Sequence, residues 1–215
     1  KELATIDFSK DAGAGLENAD ADSFAIPFLT ILQGQSPAVV EGIEGARAGL
    51  FMDTVSKRPV DVLDIIPCGF KRTFIRWGAK KDGGGYKGEL SPAEIDGQEQ
   101  IGDELLTREG MTTFIGAPKG AALFDGKGAP QFDILKDTRV HYVMFKNQDG
   151  RWMKAILSLT STQIKKSKNW LAQTANLLME DGNGNSFNPP TFSHSYRCAT
   201  KLEENSWPMA RARCW

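Results

Sequence analysis

The sequence predicts a mainly β fold, a small barrel with one principal amphipathic helix. Three observations predict it. The 215-residue chain is punctuated by 22 glycines and 10 prolines, which favour turns over long helices. Runs rich in β-branched and aromatic residues recur at 60–77, 139–146 and 151–159. Only the stretch that opens at Thr160 carries sustained helical periodicity.

Residues 1–24 are polar and small, with Asp11, Glu17, Asp20 and Asp22, and read as an irregular, mildly acidic arm. Residues 25–215 read as a single domain, without repeats or low-complexity blocks. Ile26–Leu32 is apolar enough to dock as a short helix or edge strand, and Gln33–Gly49 is a turn-rich connector. Leu50–Val55 is a candidate strand, and Ser56–Pro59 turns the chain into the central segment. Val60–Ile66 reads as a buried strand, broken or bulged at Pro67 and Gly69. Gly83–Gly85 is a flexible hairpin tip.

The stretch at about 88–130 reads as a long insertion. It joins a charged, helical piece (Pro92–Arg108) to a Gly/Pro-rich piece (Gly116–Pro130). Arg139–Lys146 and Arg151–Leu159 form a hairpin around Asn147–Gly150. Thr160 and Gln163 have capping-box spacing, opening a helix with Ile164, Leu171, Thr174, Ala175 and Leu178 on one face. Thr191–Leu202 alternates Phe192, His194, Tyr196 and Cys198 onto one side, and a last short strand runs toward Trp215. Strands, insertion, hairpin, helix, strands is the order of an elaborated OB-like barrel. An antiparallel α+β sheet shares this order and is the alternative.

The bulk numbers are those of an ordinary globular chain: 40 % hydrophobic, 25 % charged, formal net charge −1. Any basic site is therefore a local patch. The three cysteines, Cys68, Cys198 and Cys214, are too few and too scattered for a disulfide framework or a metal site. They point to a reducing compartment, the cytoplasm. No run approaches the ~18 apolar residues of a membrane span, and no signal peptide is visible.

Catalysis has little support, and the chain reads as a non-enzyme without cofactor or metal. His141 and His194 lie in strand patterns with no acidic residue at a telling spacing, and no local nucleophile signature is present. Gly83–Gly85 lacks phosphate-loop spacing. The acidic run DGQEQIGDE at 96–104 reads as a solvated surface, not as the strand-borne carboxylates of a two-metal nuclease.

Aromatic and basic residues recur together instead. Phe70, Arg72, Phe74 and Arg76 alternate onto one face of the central strand; Lys71, Thr73, Ile75 and Trp77 take the other. Lys80, Lys81, Tyr86 and Lys87 flank the glycine tip. Arg151, Trp152 and Lys154 form a third set, and Lys165, Lys166 and Lys168 with Trp170 a fourth. Rings that stack on bases and cations that neutralise phosphates are what sequence-tolerant single-strand binding needs. The competing reading makes Phe70, Phe74 and Trp152 core residues with snorkelling cationic neighbours. The stacking candidates are Phe70, Phe74, Trp77, Tyr86 and Trp152. The phosphate candidates are Arg72, Arg76, Lys80, Lys81, Lys87, Arg151, Lys154, Lys165, Lys166 and Lys168.

Four segments, IPFLTILQ, GARAGLFMDTVSKRPVDVLDIIPCGFKRTFIRW, GGGYKGE and LSLTSTQIKKSKNW, resemble bacteriophage-encoded early proteins grouped with single-stranded DNA-binding proteins. The resemblance covers roughly 26–90 and 132–215 and fixes no catalytic residue. It implies an OB-like fold and non-specific coating of single strands during phage DNA replication and recombination. The implied partners are single-stranded DNA, phage or host replication and recombination proteins, and further copies of the chain, with no membrane. Such proteins often end in an acidic tail, whereas this sequence ends ARARCW, basic and aromatic. The alternative function is a protein-interaction or inhibitor module that uses the 88–130 insertion and binds no nucleic acid.

Overall fold

A computed structural model describes residues 14, 20, 23–110 and 112–201. In order, the chain forms β1 (Phe28–Ile31), α1 (Pro37–Val40), β2 (Phe51–Asp53), β3 (Pro59–Val60), β4 (Val62–Trp77) and β5 (Tyr86–Leu90). Then follow α2 (Pro92–Ile95), β6 (Gln100–Ile101), β7 (Glu104–Glu109), β8 (Thr112–Ile115), β9 (Asp133–Lys146) and β10 (Trp152–Thr160). Last come α3 (Ile164–Ala175), β11 (Met179–Glu180), β12 (Ser186–Phe187) and β13 (Tyr196–Ala199). The protein is mainly β.

Two long antiparallel strands, β4 and β9, form the spine and pair from Ile65–Phe145 to Trp77–Ile134. Each carries different neighbours along its two halves. The first half of β4 takes β13, and the second half takes β5. The later half of β9 takes β10, while its start takes β8 and through it β7 and β6. Beyond β10 the sheet continues through β1, which runs parallel to it, and then β2 and β3.

The sheet therefore branches, and among the described residues it stays open instead of closing into the expected barrel. Closure would need β3 and β13 to pair, and among the described residues β13 pairs only with β4 and β3 only with β2. The long spine carries a second set of strands beyond this half.

One face of the sheet is covered. Leu29, Phe51, Leu63, Ile65, Val143, Phe145, Ala155, Leu157 and Leu159 form the larger core, with Trp170 of α3 packed against it. At the other end of the spine the same face buries Phe74, Ile95, Leu106, Ile115 and Leu135. Residues opposite one another across a ladder share a face, so this inner face also carries Arg72, Arg76, Asp133, Asp137 and His141. The positions between them, Lys71, Tyr142, Lys154 and Ile156 among them, define an outer face.

Several elements follow their sequence signals. A register shift between Pro67 and Gly69 marks the bulge in β4. Asn147–Gly150 closes the β9–β10 hairpin. Thr160 and Gln163 form the capping box, opening a 3-10 turn that runs into α3. Three consecutive positive-φ glycines, Gly83 (+89°), Gly84 (+66°) and Gly85 (+91°), build the β4–β5 tip. A side chain on Gly78 would meet the Gly84 carbonyl at 2.9 Å.

Other elements differ. Ile26–Leu32 yields an internal strand, because β1 lies between β2 and β10. The charged 92–108 piece is helical only over α2, then extends into β6 and β7, where Leu106 and Ile101 reach the second core. Thr191–Ser193 forms a 3-10 turn, which leaves Phe192 exposed and only Tyr196 and Cys198 facing inward. The acidic arm falls largely outside the described residues, and the last strand toward Trp215 falls entirely outside them.

Candidate nucleic-acid interface

The aromatic–arginine alternation of β4 faces inward. Phe74 is only 5 % exposed and belongs to the second core. A ring so enclosed cannot stack on a base, so Phe74 leaves the stacking set. Phe70 keeps an exposed edge on the inner side, with its ring 5.2 Å from His141.

The two arginines are neutralised within the protein. Arg72 Nη2 donates to Asp137 Oδ2 and Asp96 Oδ1, each at 3.0 Å, and its guanidinium lies 5.0 Å from the Phe74 ring centre. Arg76 grips Glu104 with two bonds of 2.7 and 2.8 Å and donates Nε–H to Asp133 at 2.8 Å. Lys87 also bonds Asp133, at 2.9 Å, and the Ala79 N–H adds a bond of 3.0 Å. The Arg76 hydrogen bonds hold the Glu104 carboxyl below its usual range. Burial works to raise the Asp133 pKa, but the bonds from Lys87, Arg76 and Ala79 outweigh it and keep the group low. Arg72, Arg76 and Lys87 thus tie β4, β5, β7 and β9 together, and all three have carboxylate partners where a phosphate contact was expected.

The helix lysines lie on this same side of the sheet. Ser167 of α3 bonds His141 Nε2 at 2.7 Å, and Trp170 stacks on the His141 ring at 4.8 Å. Lys165, Lys166 and Lys168 are exposed around this contact, across the sheet from Trp152 and Lys154. The sequence-predicted sets therefore do not all converge. His141 is 1 % exposed, and burial pushes its pKa down to about 4, so it packs as a neutral ring. Among the described residues His194 bonds only its neighbour Ser193, at 2.6 Å. Among the described residues no three His, Cys, Asp or Glu side chains form a metal-binding group.

The outer face carries the exposed chemistry. Phe28, Ile156, Tyr142 and Gly69 are successive cross-strand partners on β1, β10, β9 and β4. Phe28 is 47 % exposed and Tyr142 43 %, so the row presents two rings to solvent. Trp152, 39 % exposed, lies on the same face four residues along β10 from Ile156. Lys154, Lys146 and Lys71 surround these rings, and Lys146 and Lys154 make no ion pair with a described residue. At the far end of β4, Trp77 meets Tyr86 edge-on at 6.3 Å. Beside them Lys80 is exposed, and Lys81 lies 4.8 Å from the Phe132 ring. Arg151 is exposed at the start of β10.

Trp77, Tyr86, Trp152 and Lys154 thus hold their expected exposed positions. Phe28, Lys71, Tyr142 and Lys146 share this face and were not among the sequence candidates. Tyr142 could have been found from the alternation of RVHYVMFK, where His141, Val143 and Phe145 point one way and Tyr142 the other. The inner face also holds a cleft of about 280 Å³ under α3, lined by Ile31, Phe51, Ile65, Leu157, Trp170 and Cys198.

The structure defines a branched, mainly β protein whose outer sheet face exposes a patch of aromatic and basic side chains. The particular family is a phage one. The model of the Pam3 phage gp34-like protein family matches residues 2–207, and the chain belongs to that family. No curated protein matches the chain, and no solved structure does. No helix among the described residues is long and apolar enough to cross a membrane.

Proposed function

We propose that this phage protein binds single-stranded DNA non-specifically through its outer sheet face, during phage DNA replication or recombination. One observation carries the reading: the exposed row Phe28–Ile156–Tyr142 with Trp152 beside it, ringed by Lys71, Lys146 and Lys154. Rings standing on a rigid sheet accept any base, because every base has a π-face, and the lysines meet the backbone. A sheet holds its rings at fixed spacing, so little side-chain entropy is lost when a strand docks. The cytoplasm of the host cell is where such a protein would act.

The test is an anisotropy titration of labelled oligo-dT at two salt concentrations, with duplex DNA as competitor. Saturable binding that prefers the single strand and weakens with salt supports the proposal. No binding at low salt refutes it.

A second reading is favoured by a different patch. Met179 and Phe187 are cross-strand partners in the β11–β12 hairpin, and they, Leu178 and Phe192 are all exposed. Exposed apolar groups of this density mark protein contact. An interaction module would use this hairpin more than the 88–130 segment, whose Ile95, Leu106 and Ile115 are committed to the second core. A stable complex with a phage or host protein, without oligonucleotide affinity, would select this reading.

A further inference from the structure

The centre of the outer face holds an ion pair in an unexpected place. Lys71 lies two residues along β4 from Gly69, opposite Val140, and so sits diagonally beside Tyr142. Glu89 stands on β5 opposite Ile75. Its carboxylate reaches back along β4: Oε2 accepts from Lys71 Nζ at 2.5 Å and from Thr73 Oγ at 3.3 Å. Thr73 lies beneath it and is fully buried.

The carboxylate therefore stands between two groups of exposed rings. Phe28, Tyr142 and Trp152 lie on one side of it, and Trp77 and Tyr86 on the other. Tyr142 pairs with Gly69, eight residues before Trp77, so the groups are about 26 Å apart at roughly 3.3 Å per residue. Lys71 lies between the two groups along β4. The Lys71 pKa is raised, first by the Glu89 hydrogen bond, against the opposing effect of desolvation.

We infer that Glu89 is a built-in competitor for the single strand: it holds on Lys71 the position that a phosphodiester takes, and a strand binds by displacing it. This rests on the single-strand reading above. A carboxylate and a phosphodiester each carry one negative charge, so the exchange conserves the charge around Lys71. Both side chains of the pair are substantially exposed, Lys71 at 49 % and Glu89 at 37 %. Such a pair is weak and reversible, so it only disfavours a short ligand held at one aromatic group alone. It yields to a strand that engages both groups at once, because the second contact is then intramolecular.

The experiment compares the full chain with Glu89→Gln, Glu89→Asp, Lys71→Gln and the double variant Lys71→Gln/Glu89→Gln, using labelled dT20 over a salt series. Glu89→Gln should bind several-fold tighter, because no carboxylate has to be displaced, with a log K against log salt slope close to that of the wild type, since the Lys71–phosphate contact forms in both. Glu89→Asp keeps the charge but shortens the reach, and should also bind tighter. Lys71→Gln alone should weaken binding, because it removes a phosphate contact and leaves the Glu89 charge unpaired beside the strand, and in the Glu89→Gln background it should abolish the gain. Wild-type affinity in Glu89→Gln would overturn the inference. So would a gain that survives in the double variant, or an Asp variant equal to wild type, since either would mean general repulsion without competition at Lys71. Absence of dT20 binding in every form would instead refute the single-strand reading itself.

Discussion

The Tyr142 ring lies over Gly69, its Cδ2 3.5 Å from the place where a Cβ on Gly69 would sit. The contact is at ordinary van der Waals distance, so an added methyl group fits and a larger side chain does not. Gly69→Val should push the ring off the sheet and weaken oligo-dT binding by about as much as Tyr142→Ala. Each stacked ring is worth ~1–3 kcal/mol, so roughly a tenfold loss is expected. Gly69→Ala should bind as wild type. Anisotropy titrations of the three variants check this.

Phe74 is expected to behave as a core residue. Phe74→Ala removes a ring enclosed by Ile95, Leu106, Ile115 and Leu135 and should cost about 3–5 kcal/mol of stability. Chemical denaturation measures it. Tyr142→Ala, on the exposed face, should leave the denaturation midpoint nearly unchanged, which separates the two kinds of aromatic.

The Arg76–Asp133 contact joins the end of β4 to the start of β9 and, through Lys87 and Ala79, to the glycine tip. Asp133→Asn leaves Arg76 and Lys87 without their shared charge partner. A loss of about 2–3 kcal/mol is expected, with faster amide exchange in residues 78–90 than in β10.

Stability should fall in acid for a reason traceable to His141. Its folded pKa is depressed to about 4, below the ordinary value of 6.5. The unfolded chain therefore takes up the proton first as pH falls. The His141 contribution is full above pH 6.5 and is lost as pH drops toward 4, by at most about 3 kcal/mol. His141→Gln should flatten the stability profile between those values. The lowered pKa values of Asp133 and Glu104 act in the same direction but at lower pH. Urea midpoints from pH 7.5 to 4.5 check the prediction.

Local signals are matched by local structure. The Asn147–Gly150 turn, the Thr160–Gln163 cap and the Pro67–Gly69 bulge each depend on residues close together, and each forms. The facing of β4 depends on distant residues. Phe70, Arg72, Phe74 and Arg76 do share a face, but Asp133 and Asp137, some sixty positions later, supply the carboxylates that turn that face inward. An alternation of rings and arginines looks the same whether the arginines await phosphate or already hold aspartate. Barrel closure was beyond local reading for a similar reason. It depends on whether β3 and β13 meet, and in the described residues β13 pairs only with β4. The exposed site was half legible: Trp77, Tyr86, Trp152 and Lys154 were read from their neighbours, whereas Phe28 and Tyr142 come together only through β10.

The most direct test sets the two faces of the sheet against each other. Labelled oligo-dT is titrated with Tyr142→Ala/Trp152→Ala on the outer face and with Lys165→Ala/Lys168→Ala on α3, at one salt concentration. The account predicts that the outer-face pair loses about a hundredfold in affinity and that the α3 pair stays within about threefold of wild type. Equal binding by the outer-face variant and the wild type, or a large loss confined to the α3 variant, would contradict it.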